Sequence, residues 1–219
     1  MKGRKAPAKK HLPRKKPSQA RSQERVRRIL DAAAEVVEEV GYDAATTNQI
    51  AARAGCAIGS LYQFFPNKAA LMHALALLYV EELRALLGRV IADVTGPQDR
   101  PLDWRESVSR IVDAFAHFHH HRAGFHAVFF GGLLSADLLQ TAIQCGRDMA
   151  QGVEPLLAAL APGAEPERRL LVARVATELT GALLILSTER KEDPAWVASV
   201  LDQTKLAVIA YLERALISD

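Results

Sequence analysis

The chain is poor in the residues that staple or harden a small protein by chemistry. Cysteine occurs twice, as Cys56 and Cys145 in unrelated places without a CxxC spacing, which excludes a disulfide framework and a cysteine-built zinc site. There is no HExxH, no GxSxG and no glycine-rich phosphate loop, and nothing suggests a nucleophile beside a base, so an enzyme is not expected. Strand-like alternation of apolar and polar residues is missing, and so is any internal repeat. No segment has the apolar length expected of a membrane span, and the lysine-studded start lacks the apolar region of a signal peptide, so the expected location is the cytoplasm, with no membrane partner. Acidic residues are scarce at one end only. Residues 1 to 28 hold twelve Lys or Arg against Glu24 alone, a balance of +11 that leaves −8 of the overall +3 to residues 29–219.

A basic front end on an acidic body points to a polyanion at the N-terminus, because neutralising phosphates releases condensed counterions. Residues 1–17 combine Lys, Arg, Pro and Ala with little to bury and are expected to form a disordered basic tail. The remainder, 49% hydrophobic over the whole chain, is long enough to bury a real core in one or two domains. A first helix is predicted from Ser18 or Ser22 to about Val40, with Val26, Ile29, Leu30, Ala33, Val37 and Val40 at helical spacing and Gly41 as its stop.

The stretch from Thr46 to Lys68 reads as a helix-turn-helix. Thr46 or Thr47 can cap a helix through Ile50 to Ala54, and Gly55 supplies the positive φ of a tight turn, with Cys56 packed behind it. A second helix begins near Ile58. Ile50, Ala51 and Ala54 share one face of the first helix and Leu61, Phe64 and Phe65 one face of the second, so the pair can bury a common seam. Pro66 stops the second helix, and Asn67 is placed to cap the next at Lys68.

Within this stretch, Ala51-Ala52-Arg53-Ala54-Gly55, Gly59-Ser60-Leu61-Tyr62 and Phe65-Pro66-Asn67-Lys68 resemble the signature of the tetracycline-repressor (TetR) family of bacterial transcription regulators, over about residues 20 to 82. The resemblance implies an all-α protein of about nine helices: a three-helix helix-turn-helix DNA-binding domain (residues 18–66, motif 46–65) followed by a helical ligand-binding and dimerisation domain (67–219). It implies that Thr46, Thr47, Asn48, Ala57, Ile58, Gly59, Ser60, Tyr62, Gln63 and Lys68 lie at DNA, with Thr47, Tyr62 and Lys68 mainly on phosphate. By residue type, Gln63 suits adenine and Ile58 a thymine methyl. Ala57 and Ile58 stand where the family commonly has polar or basic residues, which leaves few direct base contacts. A dimer would read an inverted-repeat operator in double-stranded DNA with half-sites about 34 Å apart. The expected role is a repressor released by a small hydrophobic or amphipathic effector; an activator or a ligand-independent regulator of the same fold would share these residues.

Beyond the motif, Lys68 to about Ile91 is predicted as a long helix joining the two domains, residues 93–101 as a loop, and Asp103 with Glu106 as the start of a helix carrying Val108, Ile111, Val112, Phe115 and Phe118. A brief helix is expected at 124–130. Another, capped by Ser135, should kink or end at Pro155. From Pro166 to about Arg190 the chain is apolar on two sides, Leu171, Val172, Val175, Leu179, Leu183 and Leu186 on one and Ala173, Ala176, Thr177, Thr180, Gly181 and Leu184 on the other. With the last helix, opened by Asp193-Pro194, this predicts a four-helix homodimer interface through Leu179, Leu183, Leu186, Val200, Val208 and Leu212.

Six of the thirteen aromatics fall within residues 104–130. With the pocket that the resemblance implies, they make Trp104, Phe115, Phe118, His119, Phe125, His126, Phe129 and Gln144 its candidate lining. Asp113, His117 and His121 recur at i, i+4, a spacing that suits a divalent metal, but the apolar stripe turns them outward; no metal or cofactor is expected.

Overall fold

A computed structural model describes residues 20–95, 103–129 and 136–217. Among these the protein is all helix, without a strand: α1 (Ala20–Ala44), α2 (Thr47–Arg53), α3 (Ile58–Phe64), α4 (Lys68–Thr95), α5 (Trp104–His121), α6 (Phe125–Phe129), α7 (Ala136–Leu160), α8 (Pro166–Thr188) and α9 (Pro194–Leu212), closed by a π-helical turn at Glu213–Ile217. The proposed tail at 1–17, the Ser135 cap and most of the 93–101 loop lie outside the described residues.

Several boundaries differ from those read in the sequence. Gly41 interrupts α1 with φ 80 and ψ 166, a region open essentially to glycine, yet another helical turn follows to Ala44. Val40 is exposed rather than part of the α1 core. The α4 helix continues to Thr95, four residues past Ile91. Pro155 does not end α7, which runs on to Leu160; the fully buried Leu156 and Leu157 hold the last turn although proline cannot donate to the Gln151 carbonyl. The expectation that no segment reaches membrane-span length is also corrected. By length and composition α8 does, with a third of its most apolar window buried inside the chain. A helix apolar all round is equally the product of packing on several sides.

The described residues divide into two compact units, with a boundary inside α4 between Tyr79 and Val80. The N-terminal unit runs to Tyr79 and also takes in Ala123–Thr141; the C-terminal unit holds Val80–Arg122 and the chain from Ala142 onward. The sequence reading set α6 with the ligand-binding part, whereas packing joins it to the helix-turn-helix part. The reason is aromatic. Tyr79 is fully buried, meets Phe125 edge-on at 5.6 Å and donates its hydroxyl to the Ala123 carbonyl at 2.6 Å. Next to it Gly124 (φ 70) lies so close to α1 that a Cβ there would stand 2.6 Å from the Ala34 carbonyl oxygen, and its amide donates to Glu38 at 3.0 Å. Ile29, Ala33, Val37, Ile50, Leu61, Leu71 and Leu75 fill the rest of that core.

In the C-terminal unit, Val108 and Val112 of α5, Ala150 and Leu157 of α7, Val172, Ala173 and Ala176 of α8, and Val208 and Leu212 of α9 form one apolar cluster. Of the two apolar stripes on α8, the chain buries most of the small-residue one, Ala173, Ala176, Thr180 and Leu184, and Val172 from the other. Small side chains let neighbouring helices approach closely, and the small-residue face borders a cavity at Ala176, Thr177 and Thr180.

Candidate nucleic-acid interface and apolar cavity

Local hydrogen bonds build the helix-turn-helix. Thr46 and Gln49 form a reciprocal capping box: the Gln49 amide donates to Thr46 Oγ1 at 3.2 Å and the Thr46 amide to Gln49 Oε1 at 2.9 Å. At the other end of α2 the Gly55 amide donates to Ala52 and the Cys56 amide to Ala51, the paired closure of a helix on a left-handed glycine (φ 61). Ile50, Ala51, Ala54, Leu61, Phe64 and Phe65 are all buried, so the seam forms from the residues expected to form it. Asn67 accepts from the Ala70 amide at 2.8 Å and starts α4.

With Leu61 and Phe64 inside, α3 turns Ala57, Gly59, Tyr62 and Gln63 to solvent and leaves Ile58 and Ser60 half-buried beside them. Thr46 and Asn48 of the preceding segment are exposed and Thr47 is half-buried. The Thr47 and Tyr62 hydroxyls lie 3.1 Å apart, which brings the start of α2 onto the exposed side of α3. The expected DNA residues therefore share one surface, with Lys68 as the outlier. Its ammonium donates to the Tyr42 and Asp43 carbonyls at 2.9 and 3.0 Å and sits 5.0 Å from the centre of the Tyr42 ring. Two of its three protons thus cap the end of α1, leaving one for phosphate. This was not legible in the sequence, because the acceptors are backbone atoms 25 and 26 residues away.

Arg53 works inside the protein as well. It donates to both Glu39 oxygens at 2.9 and 2.7 Å and to Glu35 at 3.1 Å, which ties α2 to α1. The hydrogen bond from Arg53, followed by its charge, lowers the Glu39 pKa, and the glutamates in turn raise that of Arg53. Chemically, the exposed surface offers hydroxyls and backbone amides suited to phosphate oxygens. Gln63 is its one long polar side chain on α3 able to reach a base edge.

The C-terminal unit contains a cavity of about 50 Å³, lined by Val108, Ile111, Val112 and Phe115 of α5, Val153, Leu156 and Leu157 of α7, and residues of α8 and α9 including Thr177, Thr180, Val208 and Leu212. Of the expected pocket residues, Phe115 lines it, and Trp104 packs on the same cluster. Phe118 and His119 lie on α5 away from the lining, and Gln144 is exposed and bonded to Asp148 at 2.9 Å. Phe125, His126 and Phe129 belong to the other unit, where Phe125 and Phe129 surround Tyr79. The aromatic concentration was thus mostly a packing signal.

On α5 the buried line is Val108, Val112, Ala116 and His119, with Ile111, Phe115 and Phe118 half-buried beside it. Asp113, His117 and His121 face outward. Asp113 pairs with Lys205 at 2.6 Å, and the two imidazoles stack at 4.1 Å. Among the described residues no group of three or more potential ligands is placed to hold a metal. His120 bonds through Nε2 to Ser187 Oγ at 2.9 Å, and its pKa is lowered by burial first and then by His121 and Lys191. Burial, then Asp148, pushes the Cys145 thiol up to about 11, so it stays protonated and unreactive.

The expected dimer residues fall into two groups. Val200, Val208 and Leu212 are buried within the chain, where Val208 and Leu212 belong to the α5–α7–α8–α9 core. Leu186 is exposed, and Leu179 and Leu183 are half-buried. Alongside them Leu171 is 64% exposed, Val175 39% and, on α9, Leu206 61%.

Similarity to known proteins agrees with this architecture. Residues 29–75 match the model described as bacterial regulatory proteins of the tetR family, and residues 103–212 that of the tetracyclin repressor-like C-terminal domain. The HTH-type transcriptional repressor KstR of Mycobacterium tuberculosis is 42% identical over 77 residues, 35% of this chain, which spans about 30% of that relative's length. A TetR-family transcriptional regulator from Streptomyces coelicolor is 27% identical with a TM-score of 0.64, covering 88% of this chain and 99% of its own. The fatty acid degradation regulator FadR from Bacillus halodurans shares the fold at 17% identity and a TM-score of 0.66, covering 89% and 96%. With both its reading head and its C-terminal helices accounted for, the chain belongs to the TetR family of bacterial transcription regulators.

Proposed function

We propose that this regulator is a repressor: as a dimer it holds an inverted-repeat operator and lets go when a small apolar or amphipathic effector enters the C-terminal cavity. The observation that carries the reading is the surface of α3. Gly59, Tyr62 and Gln63 face outward while Leu61 and Phe64 anchor the helix from behind, the arrangement a recognition helix needs to enter the major groove by its N-terminal end. Thr46, Thr47, Asn48 and the Tyr62 hydroxyl then meet phosphate, with Ala57, Ile58, Gly59 and Ser60 against the groove and Gln63 reading a base. Because Gln63 is nearly alone, discrimination rests partly on DNA shape.

Dimerisation runs through the α8 stripe Leu171, Val175, Leu179, Leu183 and Leu186 with Leu206 of α9, the apolar surface the chain leaves uncovered. The residues at 18–66 form the DNA-binding part, and the C-terminal unit, Val80–Arg122 with the chain from Ala142 onward, the effector and dimer part, with residues 1–17 adding sequence-independent attraction to phosphate. Release follows from linkage. An effector that binds better to the form with mis-spaced reading heads lowers operator affinity by the same differential, and one that binds both forms equally does nothing.

Selection of bound duplexes from a random pool tests the reading. It should return inverted repeats with half-site centres about one helical turn apart. Recovery of sequences without symmetry, or no preference over scrambled competitor, would reject it.

A further inference from the structure

We infer, resting on the effector-responsive reading above, that the cavity selects uncharged aliphatic molecules that donate a hydrogen bond, alcohols above all. Its lining is apolar except for Thr177 and Thr180. Both hydroxyl protons are engaged inside α8, where Thr177 Oγ1 donates to the Ala173 carbonyl and Thr180 Oγ1 to the Ala176 carbonyl, each at 2.8 Å. A hydroxyl whose proton is held by its own helix offers only lone pairs. Residues three apart share a helix face, so both acceptors serve one side of the cavity. A guest that donates is bound; an ether of the same shape gains nothing there.

Among the described residues no charged side chain lines the space. A carboxylate or ammonium would lose its hydration with no partner to offset that loss, which excludes charged guests at this depth. The space is open to solvent on one side, and its inner volume of about 50 Å³ exceeds the roughly 10–15 Å³ that one water needs. Counted out to solvent, free space of about 520 Å³ surrounds it, room for the rest of a longer molecule.

The test is calorimetric titration of the full chain with 1-hexanol, its isomer methyl pentyl ether, and hexanoate near pH 8. The alcohol should bind about fivefold tighter than the ether, and hexanoate at least tenfold more weakly than the alcohol. The pair Thr177→Val with Thr180→Val, which keeps shape and deletes both acceptors, should bring alcohol and ether within about twofold of each other. The pair Thr177→Ser with Thr180→Ser keeps the acceptors and should keep the preference; if the valine pair fails to fold, the wild-type and serine ratios still decide. Equal affinity for alcohol and ether, tightest binding of hexanoate, no binding of any probe, or a preference that survives the valine pair would each overturn the inference. Fluorescence anisotropy on selected operator DNA separates it from the effector reading. An alcohol bound with the stated preference that leaves operator affinity unchanged defeats the effector reading and leaves the selectivity standing, whereas release by a carboxylate indifferent to the threonine changes does the reverse.

Discussion

The helix-turn-helix and the α8–α9 pair hold their shape by different means. In the first, turns and caps lie within four or five residues of one another: Thr46 with Gln49, Gly55 and Cys56 with Ala52 and Ala51, Asn67 with Ala70. In the second, packing decides almost everything, since α8 has apolar residues on both sides and the small-residue side, with Val172 and Leu179 from the other, meets the chain's own core. Damage to the first should therefore be local and graded, and damage to the second should depend on which face is struck.

The largest effect should come where the two modes meet, at Gly124. Changing it to Ala adds a Cβ 2.6 Å from a backbone oxygen of α1 at φ 70 and should cost about 3 kcal/mol or more in chemical unfolding of the N-terminal unit. Gly55→Ala carries the left-handed strain without the clash and should cost about 1 kcal/mol. Equal losses would mean that the close approach to α1 is not what holds α6.

Faces of the C-terminal pair can be separated next. Leu184→Ala, at a fully buried site, should destabilise by about 2–5 kcal/mol. Leu171→Glu together with Leu206→Glu should leave helicity and unfolding nearly unchanged while shifting sedimentation from dimer to monomer at micromolar concentration. If the outer pair destabilises as much as Leu184→Ala, both faces of α8 are core and the proposed interface is wrong.

Within the reading head, Thr46→Ala should cost about 1 kcal/mol through the lost capping box. By contrast, Gln63→Ala should leave stability alone and relax base preference at one position of each half-site, by about 1–3 kcal/mol of discrimination. Lys68→Met should behave as a stability variant, because its ammonium caps α1; a pure loss of DNA affinity with unchanged unfolding would return Lys68 to phosphate.

The smallest effect is a pH dependence. The folded chain holds the His120 pKa below its ordinary 6.5, so the unfolded state takes up the proton first. That contribution to stability is complete above the unfolded value and is lost as pH falls through the folded one. Thermal unfolding at about pH 7.5 and 5.5 should show a steeper loss in wild type than in His120→Gln.

Read alone, the amino-acid order determined the all-helical class, most helix starts, the helix-turn-helix seam and the outward Gln63, because each depends on groups a few residues apart or on periodicity along one helix. It also marked α8 as apolar on two sides. Only the tertiary structure decided that the small-residue side of α8 faces inward, that Val200, Val208 and Leu212 are buried within the chain, and that α6 packs with Tyr79 and α1. It likewise engaged two of the three Lys68 protons at the end of α1, and it made a cavity lined by two threonines and Phe115, with Phe125 and Phe129 packed elsewhere around Tyr79. Periodicity says how much surface a helix must bury, but the choice of neighbour is made by shape complementarity between segments far apart in the chain, which no local pattern records.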